Sequence, residues 1–369
     1  MVDLFSQYQK IKPQINNAIQ EILDSTAFIK GKAVSEFENK LSKYTHSKHV
    51  ISCANGTDAL QIALMALNLQ PDDEIIVPGF TYAATAEVIA LLRLKPVMVD
   101  VDLKTFNISV DDLEAAITPK TKAIVPVHLF GQCSDIEPII QIAQKHRLWI
   151  IEDNAQSLGA EYTFSDGSTK QTGTIGHIGC TSFFPTKNLG CFGDGGALFT
   201  NDDELAEKIR MIANHGQKIK YHHSIVGCNS RLDTIQAAIL NIKLEHLHEH
   251  LKARQKASSF YDEALENWKI GNIPFRLDKN NHTFNQYTLT VKDGRRDELK
   301  TFLAGKGIPT MIYYPIPLYK QDAFKTYVPE NFNLPNTEQL CRSVLSIPIH
   351  TEMTKDILSR ITDAMKSFK

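Results

Sequence analysis

No sign of charge dominates this chain: 40 Lys and Arg residues stand against 42 Asp and Glu, a formal net charge of -2. Nucleic acid and anionic membrane are therefore not attracted over the whole surface, and any bound anion needs a local site. Long apolar runs are also missing. The most apolar window, Ala83 to Val101, is interrupted by Glu87, Arg93, Lys95 and Asp100 and is too charged to span a bilayer. The opening residues, Met1 to Lys10, lack a basic segment followed by an apolar one and do not read as a signal peptide, so a cytoplasmic protein is expected. Six cysteines are scattered without a Cys-x-x-Cys, which points to reduced thiols in the core or lining a site. The histidines fall in no metal-ligand spacing, and no metal is expected. No Gly-x-Gly-x-x-Gly follows the first strand, which disfavours an oxidoreductase using a dinucleotide.

What is present is enough apolar sequence, 43% of 369 residues, to bury a large core. We expect an N-terminal helical segment over residues 1–30, a large domain over 31–245 and a smaller C-terminal α+β domain over 246–369. Ile11, Ile15, Ile19 and Ile22 recur at helical spacing near the start. From His49 onward, short β-branched runs alternate with helices of regular length. Strands are expected over 74–77, 96–101, 123–127 and 148–152, with helices over 83–94, 109–117 and 135–146. This order predicts an α/β fold, a mainly parallel sheet covered by helices on both faces. Ligands in such sheets gather at the carboxyl ends of the strands. That rule selects the turns Asn55–Asp58, Pro78–Ala83, His128–Gln132 and Asp153–Ser157. Later, a polar exposed loop is expected over 215–223 and one long helix from Thr234 to about Leu265.

One lysine stands out. Lys187 lies between the aromatic pair Phe183-Phe184 and the glycine-rich Gly190-Cys-Phe-Gly-Asp-Gly-Gly196. A desolvated ammonium gives up its proton more readily, and a neutral amine can bond covalently to an aldehyde. The alternative is a buried lysine paired with a carboxylate such as Asp194. The turn Asn55-Gly-Thr-Asp58 opens a helix and suits a phosphate, or is an ordinary cap by Thr57 or Asp58. Asp153 suits a protonated ring nitrogen or an N-cap. Tyr82 suits stacking on a flat ring or plain core.

Together these turns hold a lysine, an acid, an aromatic and a helix end, which is what pyridoxal phosphate requires. The sequence resembles the DegT/DnrJ/StrS family of nucleotide-sugar aminotransferases, of fold-type I, over nearly its whole length. The resemblance is carried by Ser52–Leu60, Pro78–Thr85, Glu152–Ser157, Ser182–Gly196, Gly227–Ala237 and Tyr314–Leu318. Among these, the lysine segment and the Asn229-Ser-Arg-Leu-Asp-Thr run look most like enzymes acting on UDP-2-acetamido-2-deoxy-3-oxo-glucuronate, a step toward surface polysaccharide. The resemblance implies that Lys187 holds the coenzyme and moves the proton, and that Asp153 keeps the ring nitrogen protonated. It further implies that Gln156 meets the ring hydroxyl, that Tyr82 covers the ring, and that Thr57, the Asp58 amide and Ser182 bind the phosphate. Asn229 would complete the phosphate site of a partner subunit, so that a homodimer with shared sites is required. Arg231 would grip a carboxylate, either of the L-glutamate donor or of a uronic acid, with Tyr313 and Tyr314 also facing substrate. Relatives acting on the uronic acid have His-Tyr where this chain has Tyr313-Tyr314, and a tyrosine supplies no positive charge. Three other readings remain: an aminotransferase for another UDP- or dTDP-linked keto sugar, a dehydratase, which would have histidine at Lys187, and a regulatory protein without turnover.

Overall fold

A computed structural model describes residues 1–369. Helices α1 (Leu4–Ser25) and α2 (Lys32–Thr45) precede strand β1 (His49–Cys53). Alternating units follow: α3 (Gly56–Ala66), β2 (Glu74–Pro78), α4 (Ala84–Leu91), β3 (Lys95–Val99), α5 (Val110–Ala115), β4 (Thr121–Ile124), α6 (Ile136–His146) and β5 (Trp149–Asp153). A hairpin, β6 (Glu161–Thr163) with β7 (Thr169–Gln171), leads to β8 (Ile178–Ser182), β9 (Gly196–Thr200) and α7 (Asp203–Ile212).

The large sheet has the order β1-β9-β8-β5-β4-β2-β3. Pairing is parallel from β8 to β3, whereas β9 runs antiparallel to both β8 and β1. Two successive reversals restore the direction, so β1 again points the same way as β8 and β5. The turns after β1, β2, β4, β5 and β8 consequently open at one edge of the sheet. Both faces are covered, as neighbouring residues of one strand show: Ile75 and Val77 join the core under α3 and α4, while Ile76 joins the core with Leu113 of α5 and Ile139 of α6.

Helix α1 packs through Ile11 and Ile15 on Ile239 of α8 (Thr234–Glu245). The expected continuous helix after Thr234 is broken: α8 stops at Glu245 and α9 (Leu247–Leu265) begins after His246. The expected loop 215–223 contains an exposed two-stranded hairpin, β10 (Gln217–Ile219) and β11 (His222–His223). The remaining chain builds a second sheet from β12 (Gly271–Asn272), β13 (Tyr287–Val291) and β14 (Val344–Ile347), packed against α9, α10 (Arg296–Gly305) and α12 (Lys355–Ser367). Between α10 and α11 (Pro335–Ser343), residues Leu318, Tyr319, Phe324 and Leu334 leave this second body and join the core of the first. No helix is long and apolar enough to cross a membrane.

Candidate active site

The site is assembled at the edge where the five strand ends meet. After β8 the chain makes the turn that carries Lys187, whose backbone N–H donates to Phe184 O at 2.9 Å. Gly190 is required here, since a Cβ would lie 2.4 Å from Pro185 O. The two aromatics separate: Phe183 is buried edge-on against Phe37, and Phe184 is 50% exposed. Lys187 lies deep among protein atoms with limited solvent access, and this burial lowers its pKa to about 8 against the opposing pull of Asp153. The expected alternative partner, Asp194, is exposed and makes no ion pair with Lys187; the carboxylate that acts on the lysine is Asp153.

Asp153 ends β5 and is buried. Its Oδ2 accepts from Thr85 Oγ1 at 2.8 Å and its Oδ1 accepts from Ala155 N–H at 3.2 Å. Burial still raises its pKa, with Thr85, Ala155, Lys187 and His128 acting in the opposite direction. A carboxylate in this state lacks a full counter-charge. A protonated ring nitrogen would supply it.

The other strand ends furnish the walls. Gln156 Oε1 accepts from Phe130 N–H at 2.7 Å, and its Nε2 donates to Tyr314 Oη at 3.2 Å. Phe130 has φ 59°, a left-handed backbone that costs a side-chain-bearing residue about 1–2 kcal/mol, and the Gln156 contact holds it. Tyr82 is 61% exposed, so it is not core. Its ring lies 6.1 Å from that of Tyr314, tilted by 41°. Tyr314 is enclosed and Tyr313 half-buried beside it, and burial raises both phenols.

At the start of α3 the cap is Asn55, whose Oδ1 accepts from Asp58 N–H at 2.8 Å; neither Thr57 nor Asp58 caps the helix. The Asp58 amide is thus already engaged, and the Gly56 and Thr57 N–H groups remain directed outward at the positive helix end. A Cβ on Gly56 would come within 2.7 Å of Ser182 Cβ, so glycine allows the α3 terminus and the end of β8 to touch. Thr57, Asp58 and Ser182 therefore sit together, in a cradle suited to a phosphate.

Asn229 and Arg231 make no hydrogen bond to Lys187, Asp153 or Gln156, although the chain next to Asn229 adjoins the turn before α3, where Ser230 Oγ accepts from Ala54 N–H at 3.0 Å. Asn229 is exposed and bridges to Asn214 through its backbone. Arg231 lines a separate cleft of about 680 Å³ with Lys30, Glu38 and Arg210, lined by none of Lys187, Asp153, Gln156 or Tyr82.

Three residues of the site lie in segments the sequence marks but have no role assigned from it. Thr85 is in the first turn of α4, and its role depends on Asp153, which is distant in sequence. Glu152 and His128 form a fully buried pair, Nε2 to Oε2 at 2.8 Å. Ser134 N–H donates to His128 Nδ1 at 3.1 Å, so Nδ1 is an acceptor and the proton on Nε2 donates to Glu152. Glu152 also accepts from the N–H groups of Gly173, Ile175 and Gly176. Burial pushes this carboxyl up, but the His128 and backbone donors outweigh it and hold it below the usual range. The pair clamps the end of β5 and, with it, Asp153, whose C=O accepts from His128 N–H at 3.0 Å. The strand-end rule selects the turn at His128 without assigning it a task.

Lys187, Asp153, Gln156, Tyr82 and the α3–Ser182 cradle fit pyridoxal phosphate: an amine for its aldehyde, an anion for its ring nitrogen, a ring wall and a phosphate seat. Comparison with known proteins agrees. The chain is 49% identical over 349 residues to a UDP-2-acetamido-2-deoxy-3-oxo-D-glucuronate aminotransferase of Pseudomonas aeruginosa, covering 95% of this chain and 94% of that protein. It is 44% identical to a pleiotropic regulatory protein of Geobacillus stearothermophilus, covering 100% and 98%. Its structure matches the crystal structure of a DegT DnrJ EryC1 StrS aminotransferase from Brucella abortus at 41% identity and a TM-score of 0.94, covering 100% and 98%. The profile of the DegT/DnrJ/EryC1/StrS aminotransferase family matches residues 9–366, and the chain belongs to that family.

Proposed function

We propose that this protein is a pyridoxal-phosphate aminotransferase that moves an amino group from L-glutamate to carbon 3 of UDP-2-acetamido-2-deoxy-3-oxo-D-glucuronate, in the cytoplasm and for surface polysaccharide. The observation that carries the reading is Lys187, an enclosed amine brought down to about 8 and opposed by the buried Asp153. The substrate follows the 49% identical relative.

Bound pyridoxal phosphate supplies an aldehyde to carry the amino group and a ring that withdraws electrons. Lys187, as a neutral amine, would hold the coenzyme and would move the proton at the substrate carbon. Asp153, steadied by Thr85, holds the proton on the ring nitrogen. Gln156 orients the ring hydroxyl, and Tyr82 covers one face and excludes water. Thr57, through its hydroxyl and backbone N–H, and the Ser182 hydroxyl would seat the phosphate, the Asp58 amide being taken by Asn55.

We read the site in one chain as incomplete, because neither Asn229 nor Arg231 hydrogen-bonds to Lys187, Asp153 or Gln156 within it. A second copy would bring both. The hairpin segment beside Asn229 exposes Tyr221 and Val226 to 78% and 85%, apolar surface that suits a subunit interface. We therefore read a homodimer whose Asn229 and Arg231 serve the neighbour's site, the latter gripping a substrate carboxylate. A role in regulation without turnover, as the name of the Geobacillus relative suggests for that protein, is opposed by the complete set from Lys187 to Ser182. Purified protein loaded with coenzyme should lose its visible absorbance on adding L-glutamate and regain it with 2-oxoglutarate. A spectrum indifferent to both would refute the proposal.

A further inference from the structure

Between the lysine turn and the second sheet lies a cavity of about 290 Å³. Thr186 and Tyr313 form its inner wall, each adjacent in sequence to a site residue, Lys187 and Tyr314. Ile347 and Ile349 give an apolar side, while Asn285 and Gln286 supply amides. Asn285 is only 6% exposed, yet its side-chain oxygen has no hydrogen-bond partner. Its Nδ2 donates to Gln286 Oε1 at 2.8 Å, which leaves the Gln286 NH2 as the pair's free donor. Exchanging oxygen and nitrogen in both amides gives the same result: one free acceptor and one free donor, side by side. A buried amide oxygen left without a donor is costly, and native interiors rarely leave one unpaired.

The chemistry of the walls selects the occupant. Met1, Val2 and Leu4 also line the cavity, and the Met1 α-ammonium is its one cation, but an ionised carboxylate only accepts hydrogen bonds and would leave the Asn285 oxygen without a donor. A neutral group with an N–H, a C=O and a methyl matches all three features of the wall. That group is a secondary amide.

We propose that this cavity is the subsite for an acetamido group on the sugar carbon next to the keto carbon, with Asn285 and Gln286 as residues that determine specificity. The inference rests on the reading that the enzyme aminates a nucleotide-linked keto sugar. The keto carbon must reach the Lys187 amine, so a substituent one carbon away must lodge near that lysine; the cavity meets the lysine turn at Thr186, and its Gln286 donates its backbone N–H at 3.3 Å to Phe130 O, the residue that Gln156 holds. Asn285 Oδ1 accepts from the acetamido N–H, Gln286 Nε2 donates to its carbonyl, and the methyl rests on Ile347 and Ile349. A hydroxyl in the same place can donate and accept, but it brings neither the carbonyl nor the methyl and leaves Ile347 and Ile349 bare.

Calorimetric titration of the holoenzyme with UDP-N-acetylglucosamine and with UDP-glucose tests this. The first should bind about tenfold or more tightly than the second, because a site built to hydrogen-bond a group discriminates against ligands lacking it. Asn285→Leu and Gln286→Leu should each reduce the ratio to within about twofold, chiefly by weakening the acetamido sugar. Gln286 is partly exposed, so its variant tests the idea even where Asn285→Leu folds poorly. Equal binding of the two probes by the unaltered enzyme, or a ratio untouched in Gln286→Leu, would overturn the subsite. Failure to bind either probe, with the glutamate half-reaction intact, would instead overturn the nucleotide-sugar reading and the subsite with it.

Discussion

The Thr85 hydroxyl donates to Asp153 Oδ2 at 2.8 Å, joining the first turn of α4 to the end of β5. This bond is the main protein interaction opposing the rise that burial imposes on the Asp153 carboxyl. Thr85→Val keeps the shape and removes the donor, so the carboxyl should rise further and hold the ring-nitrogen proton less firmly. We expect kcat to fall about ten- to hundredfold, the worth of a hydrogen bond to a charged group, with KM little changed. Steady-state kinetics would decide, and an unchanged kcat would remove Thr85 from the mechanism.

The lysine makes stability depend on pH in a definite direction. Its folded pKa of about 8 lies below the ordinary 10.5, so the folded protein binds this proton more weakly than the unfolded chain does. The resulting penalty is present in full below pH 8 and fades as pH rises from about 8 toward 10.5. Lys187→Met in coenzyme-free protein should therefore raise the melting temperature at pH 7, and the gain should shrink at pH 10. A gain independent of pH would contradict the shift.

Glu152, fully buried, collects His128 and three backbone N–H groups. Glu152→Gln turns an NH2 toward those donors and leaves His128 without its anion. Leaving buried donors without an acceptor typically costs about 1–3 kcal/mol, to be read as a fall in the urea midpoint. A change below about 1 kcal/mol would show that the clamp does not hold β5.

Sharing of sites between subunits can be tested by mixing inactive parents. A Lys187→Ala subunit paired with an Asn229→Ala subunit contains one site with both residues intact, and the mixture should recover activity that neither parent shows. Asn229→Ala alone should release the coenzyme more readily. Absence of recovery in proven mixed dimers would place Asn229 outside the partner's site.

Much of this architecture could be read in the sequence because buried strands are short β-branched runs and because helices announce their starts. Tyr287–Val291, a run of aromatic, β-branched and apolar residues, is a strand, and Thr354 caps α12. Asn55-Gly-Thr-Asp58 offered several residues able to cap, and only the fold shows that Asn55 does so and engages the Asp58 amide. The break at His246 has no glycine or proline to mark it. The lysine's partner was ambiguous since Asp194 is near in sequence, whereas Asp153 reaches it only through strand pairing between β5 and β8. The contribution of Leu318 to Leu334 to the first core is likewise a long-range contact that local pattern does not record.

The central claim is that one amine, and no other, bonds to the coenzyme. Lys243 provides an internal control: it too is buried and brought down to about 8, but it lies over the Phe192 ring at 5.5 Å, and none of the groups acting on it is a carboxylate. Borohydride reduction of the holoenzyme followed by peptide mass mapping measures the attachment directly. The account predicts a single pyridoxyl adduct, on Lys187. An adduct on Lys243 or elsewhere, or none at all in protein that retains bound coenzyme, would contradict it.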